Sequence, residues 1–186
     1  LPSAGSVSIK GVDVLAAPDS LRKSIGYLPE DPPLYRDMTV RDFVRFCGEL
    51  KGMPRAEVES RLDRVLADCN LDDVAHRVIS ELSHGYRKRV GIAQAVIHSP
   101  DLVILDEPIT GLDPRQIREI REVIRGLKKH HTVLISSHIL SEISQTCDRI
   151  LVLNNGEVEA IGTHSELLDA DGRYAELFNL QAQGYR

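Results

Sequence analysis

Cysteine is scarce in this sequence: Cys47, Cys69 and Cys147 are an odd, widely scattered trio without CxxC spacing. That argues against a disulfide framework or a cysteine metal site and fits thiols in a reducing compartment. Long apolar runs are missing, as is a basic opening followed by an apolar stretch, so any link to a membrane is expected to come through a partner. Positive charge is not in excess: 23 Lys and Arg against 28 Asp and Glu leave a formal charge of −5. Nothing in that balance favours nonspecific binding to nucleic acid or to anionic lipid, and no nucleic-acid partner is expected. There is no internal repeat and no low-complexity segment. The most informative lack concerns glycine, because none of the 13 glycines is followed by lysine. The Gly-x-x-x-x-Gly-Lys-Ser/Thr loop, whose backbone N–H groups and lysine hold nucleotide phosphates, is therefore missing. No methionine opens the chain either, and Leu1-Pro2-Ser3-Ala4-Gly5-Ser6 reads as a loop entered from upstream. A fragment is expected.

What is present suffices for one globular domain with a real core: 186 residues, 42% of them hydrophobic. Short β-rich pieces come first, at Val7 to Ile9, then across a Lys10-Gly11 turn, then at Ser24 to Leu28 after a helical turn at Asp19 to Lys23. The prolines of Pro29-Glu30-Asp31-Pro32-Pro33 deny ladder donors and helical geometry, which puts Glu30 on a connection leaving a strand. A helical region follows. Thr39 and Asp42 cap Val40 to Leu50, and Pro54 opens a second helix with Val58, Leu62, Val65, Leu66 and Cys69 on one face. A third helix is expected from Ser83 to about Ile97, with Arg87, Lys88 and Arg89 on its exposed side. Beyond Ser99-Pro100, Leu102 to Leu105 and Thr132 to Ser136 are continuous apolar runs, as expected of parallel strands buried on both faces. The helix between them is capped by Asp113, has Pro114 in its first turn and turns Ile117, Ile120, Ile124 and Leu127 inward. Asn154-Asn155-Gly156 signals a hairpin, Thr163 with Glu166 caps a short helix, and Tyr174, Leu177, Phe178 and Gln181 outline a last amphipathic one.

The strand-helix-strand unit carries the chemistry. Asp106 ends a buried strand where α/β sheets hold ligands, and its carboxylate suits Mg²⁺, directly or through water. Glu107 beside it can orient and polarise a water attacking a γ-phosphate. An Asp-Glu pair alone reads equally well as a strand-end turn with solvated acids. Order removes that ambiguity: Leu82-Ser83-His84-Gly85-Tyr86, Leu105-Asp106-Glu107-Pro108, Gly111-Leu112-Asp113-Pro114 and Ser137-His138 follow one another along the chain. In these motifs the sequence resembles the ATP-binding subunits of ABC transporters over nearly its whole length.

The resemblance implies an α/β fold: a P-loop NTPase (RecA-like) core with a parallel sheet and a helical ABC subdomain, here lacking the N-terminal strands and the P-loop. Residues 1–33 and 99–162 would be core, 34–98 the helical subdomain and 163–186 C-terminal helices. ATP and Mg²⁺ are the implied cofactors. Asp106 and Glu30 are the implied metal contacts, and Glu107 and His138 the catalytic glutamate and switch histidine. Ser83, His84, Gly85 and Tyr86 of the signature, with Asp113 of the D-loop, would contact nucleotide held by the opposite subunit. The usual pattern has glycine at His84, glutamine at Tyr86 and glutamine at Glu30. The segment Ile25 to Glu30 is similar to two-component exporters, whereas the tail from Gly162 to Phe178 is similar to exporters with fused membrane domains. Implied partners are a second ATP-binding subunit and a transmembrane permease subunit at the cytoplasmic face of a membrane. A noncatalytic subunit that lends its signature to a complete ATPase, and a soluble ABC ATPase outside transport, are the alternatives.

Overall fold

The structure is a computed structural model and describes residues 5–16 and 21–184. The chain divides into two compact units, Leu1–Ser136 and Ser137–Arg186. The first opens with a small antiparallel hairpin, β1 (Ser8–Ile9) and β2 (Val12–Asp13). Its turn places Lys10 at φ 52° and Gly11 at φ 77°, the left-handed pair that a tight two-residue connection requires. The helical turn expected at Asp19 to Lys23 lies partly outside the described residues; Leu21 and Arg22 are helical. The loop expected at Leu1 to Ser6 lies mostly outside them.

A parallel sheet then orders β3 (Ile25–Leu28), β4 (Leu102–Asp106) and β5 (Thr132–Ser136) side by side, with β4 central. The register aligns Leu28 with Leu105 and Leu105 with Ile135 on one face, Tyr27 with Ile104 and Ile104 with Leu134 on the other. Burial separates these faces. Leu28, Val103 and Leu105 are fully buried, whereas Tyr27 is 49% and Leu134 57% exposed. The expectation that both apolar runs are buried on both faces is thus corrected: β5 alternates exposed and half-buried residues. Continuous apolarity permits two-sided burial but does not supply the second covering layer.

Between β3 and β4 the chain builds three α-helices. Helix α1 (Val40–Leu50) begins at Thr39, whose hydroxyl accepts the Asp42 N–H; α2 (Arg55–Asp68) follows Pro54; and α3 (His84–Val96) begins at Ser83. Helix α1 packs on both α2 and α3, and α3 on β3. The buried face of α2 carries the expected Val58, Leu62, Val65 and Leu66. Helix α3 departs from expectation, because Lys88 is 1% and Arg89 3% exposed. Their placement on an exposed side is overturned by neighbours on several sides of α3, which also packs on the helix after β4. That helix, α4 (Pro114–Leu127), buries Ile120, Val123, Ile124 and Leu127.

The second unit pairs β6 (Ile150–Asn154) with β7 (Glu157–Gly162) across Asn155 at φ 50° and Gly156 at φ 83°. Helix α5 (Leu140–Thr146) and α6 (His164–Asp169) both pack on α7 (Arg173–Gly184). Thr163 and Glu166 form the reciprocal cap expected of them.

Candidate functional site

Asp106 is the last residue of β4, opposite Ser136 at the end of β5. The Ser136 hydroxyl donates to Asp106 Oδ1 at 2.5 Å. The next residue, Glu107, turns the chain at φ 45°, a left-handed conformation that costs a non-glycine residue about 1–3 kcal/mol and persists only where neighbours enforce it. The enforcement is visible. The Glu107 N–H donates to the Ser136 carbonyl at 3.2 Å and to its hydroxyl at 3.1 Å. The Glu107 carbonyl accepts Lys88 Nζ at 3.1 Å, and Thr110 Oγ1 donates to Glu107 Oε2 at 2.7 Å.

Lys88 reaches this turn from the middle of α3, and its ammonium also donates to the Glu30 carbonyl at 2.5 Å. Burial pushes its pKa down, while the charges of Glu30, Asp31, Glu107 and Asp106 oppose that. It faces the sheet in an i, i+3, i+7 stripe with Gly91 and Ala95. A Cβ on Gly91 would stand 2.5 Å from Leu28 Cδ1, and one on Gly26 would stand 2.1 Å from the Ala95 carbonyl oxygen. Backbone therefore meets backbone closely enough for a lysine stem to span from helix to strand-end loops.

The signature segment lies just before Lys88, at the N-terminus of the same helix. Ser83 accepts the Tyr86 N–H at 3.5 Å as the cap of α3. Asp113 caps α4 by accepting the Arg115 and Gln116 N–H groups, each at 2.9 Å. These two caps, with Tyr86, Arg89, Gln116 and Glu119, line a cavity of about 260 Å³. Gly85 is buried there: a Cβ on it would come 2.8 Å from Gln116 Cδ. A Cβ on Gly111, itself at φ 75°, would lie 3.6 Å from His84 Nε2, so the signature histidine borders the D-loop glycine. Tyr86 donates its hydroxyl to Asp73 Oδ2 at 2.5 Å, and that bond raises the phenol's pKa. The Arg89 guanidinium lies 4.2 Å from the Tyr86 ring centre and pairs with Glu119, which also takes Arg115 Nε at 3.1 Å. The position usually held by glutamine is thus tied into the helical layer.

The structure brings Ser83, Tyr86 and Asp113 to one cavity, sets His84 beside Gly111, and ties the backbones of Glu30 and Glu107 together through Lys88. His138 belongs to the second unit, where its carbonyl accepts Gln181 Nε2 at 2.7 Å. Among the described residues no group of three or more His, Cys, Asp and Glu side chains is gathered to hold a metal ion. Asp106 and Glu30 nevertheless offer hard oxygens of the kind Mg²⁺ takes, one or two carboxylates completed by phosphate oxygens and water, so the donor set fits that ion. Ser136, Thr110 and Lys88 were not singled out by sequence reasoning. Ser136 was accessible to it, since equal strand lengths put it opposite Asp106, and Thr110 stands one turn beyond Glu107. Lys88 left only the faint signal of a long cation in line with Gly91 and Ala95.

Comparison with known proteins accounts for this arrangement. The ABC transporter family model matches residues 1–110. The uncharacterized ABC transporter ATP-binding protein YxlF of Bacillus subtilis (strain 168) is 37% identical over 166 residues, 89% of this chain and 55% of its own length. The ABC transporter ATP-binding protein NatA of the same organism is 34% identical over 172 residues, 91% of this chain and 70% of its own. A solved ATP binding subunit of an ABC transporter superposes with a TM-score of 0.78 at 31% identity, covering 95% of this chain and 76% of that one. The chain spans little more than half the length of the first of these relatives. No helix among the described residues is long and apolar enough to cross a membrane. The chain belongs to the ABC transporter family, and its likeness lies with the ATP-binding proteins of that family.

Proposed function

We propose that this chain carries the carboxylate end and the signature face of a subunit that hydrolyses ATP to drive export through a separate membrane subunit. The observation behind the proposal is the Asp106-Glu107 turn, where a strained backbone is held by Ser136, Thr110 and Lys88 at the end of the central strand. Such strain, over-determined by its surroundings, is characteristic of functional sites.

In this reading Glu107 orients the attacking water and receives its proton, with Thr110 holding one carboxylate oxygen in place. Asp106, fixed by Ser136, and Glu30 hold Mg²⁺, which when bound neutralises charge on the phosphates. His138 contacts the γ-phosphate. Ser83, His84, Gly85 and Tyr86, with Asp113, close over nucleotide on a second ATP-binding subunit, where the α3 N-terminus favours negative charge. Residues 1–33 and 99–162 serve as the nucleotide-facing core, 34–98 as the helical subdomain and 163–186 as the C-terminal helices. The assembly sits on the cytoplasmic face of the membrane through its permease. Phosphates facing Asp106 need a glycine-rich loop that these 186 residues do not contain. In a subunit that includes such a loop, Glu107→Gln is expected to lower ATP turnover by roughly 10²–10⁴-fold while nucleotide binding survives. Undiminished hydrolysis would remove Glu107 from the base role.

The cavity that Ser83, Tyr86 and Asp113 share supports a second reading, a noncatalytic subunit whose signature completes a partner's site. Hydrolysis by a mixed dimer that responds to Ser83→Arg but not to Glu107→Gln would select it.

A further inference from the structure

Lys88 of the α3 signature helix donates both to the loop leaving β3 and to the turn leaving β4. A lysine at 1% exposure is rare, because removing an ammonium from water costs several kcal/mol unless dipoles and charges replace the solvent. Here two backbone carbonyls do so, those of Glu30 and Glu107, with the charges of Glu30, Asp31, Asp106 and Glu107 around them. Both carbonyls belong to residues whose side chains the proposed reaction uses. One of the two sits at the left-handed turn, where φ is 45° and the backbone is under strain.

We propose that Lys88 is a positioning residue: its ammonium clamps the Glu30 peptide to the Glu107 peptide, so that the two carboxylate-bearing loops are ordered together and move as one unit. The inference deepens the ATPase reading and rests on it for its catalytic meaning, but the clamp itself is a property of the chain alone. A buried lysine that served only the core would stabilise the whole unit evenly. This one joins segments 58 and 19 residues away from it in the sequence, and its loss should be felt in those segments first. A methionine at position 88 keeps the stem's length and apolar packing and removes every donor; an arginine keeps donors.

The test is amide hydrogen exchange on the 186-residue chain, followed in residues 30–36 and 107–112 with α1 (Val40–Leu50) as reference. In the unaltered chain the two loop segments are expected to open together, with the same dependence on denaturant. In Lys88→Met both should exchange at least tenfold faster while α1 is unchanged, and Lys88→Arg should restore much of the protection. Separate opening of the two segments in the unaltered chain overturns the clamp, even where Lys88→Met fails to fold. So does a uniform rise in exchange across the unit, or no rise. In the loop-containing subunit, Lys88→Met should lower kcat for ATP at least tenfold with KM little changed. If exchange shows the clamp while that subunit with native Lys88 hydrolyses no ATP, the ATPase reading fails and the clamp stands. If that subunit hydrolyses ATP and Lys88→Met alters neither exchange nor kcat, the clamp fails and the ATPase reading stands.

Discussion

Glu107 combines two demands that usually conflict, an extended carboxylate and a left-handed backbone. Glycine would adopt φ 45° without cost, but it would bring no carboxylate. The strain is offset locally, by Ser136 on the N–H, Lys88 on the carbonyl and Thr110 on the side chain. Thr110 is the member whose removal leaves shape intact, since valine matches it in volume. Thr110→Val in the loop-containing subunit is expected to reduce ATP turnover about tenfold, the size of one hydrogen bond to a charged group, with KM for ATP unchanged. Steady-state kinetics on the purified variant would show it, and equal turnover would mean that Glu107 is oriented without the hydroxyl.

At the level of elements, the site depends on how closely α3 lies against β3. Gly26 and the Ala95 carbonyl leave no room for a methyl group, since a Cβ would come within 2.1 Å of backbone oxygen. Neither partner is a flexible side chain, so the clash cannot be relieved by a rotamer change. Gly26→Ala is expected to destabilise the first unit by about 3 kcal/mol or more, measured as a shift in the urea midpoint with little change in slope. A drop below about 1 kcal/mol would show that helix and strand can separate without penalty. The same packing explains why Lys88 reaches both loops: β3 and β4 are neighbours, and α3 runs along β3, from Ala95 beside Gly26 to Lys88 at the end from which Glu30 and Glu107 leave.

At the scale of the whole molecule, His98, just beyond the end of α3, is expected to contribute to acid sensitivity. His98 donates Nε2–H to the Ile25 carbonyl at 3.1 Å in its neutral form, while its buried Nδ1 has no hydrogen-bond partner. Burial, with Lys51 nearby, pushes its pKa down to about 4 from an ordinary 6.5. Between those values the unfolded chain binds the proton and the folded chain does not, so stability rises with pH across that window and falls on acidification through it. The loss expected from pH 6.5 to pH 4 is on the order of 2–3 kcal/mol. Urea titrations at several pH values should show this slope for the native chain and a flatter one for His98→Gln. Equal slopes would assign the acid sensitivity to the carboxylates.

Much of this architecture was legible in the order of residues. Thr39, Ser83, Asp113 and Thr163 start helices where their side chains accept a nearby N–H, and Asn155-Gly156 turns a hairpin. These are contacts over two or three residues, which composition and spacing determine. The order of the signature, Asp106-Glu107, D-loop and histidine motifs pointed to the family for the same reason. The burial of Lys88 and Arg89, and the exposure of Tyr27 and Leu134 on one sheet face, were decided elsewhere. A charged triplet on a helix reads as a solvated face until the strand, loops and neighbouring helix that surround it are in place. Whether an apolar strand is covered depends likewise on layers contributed by distant segments. The sequence by itself determined which groups are present and where each element begins; only tertiary packing decided that an ammonium from α3 would hold Glu30 and Glu107 together, because its two acceptors come from separate strands.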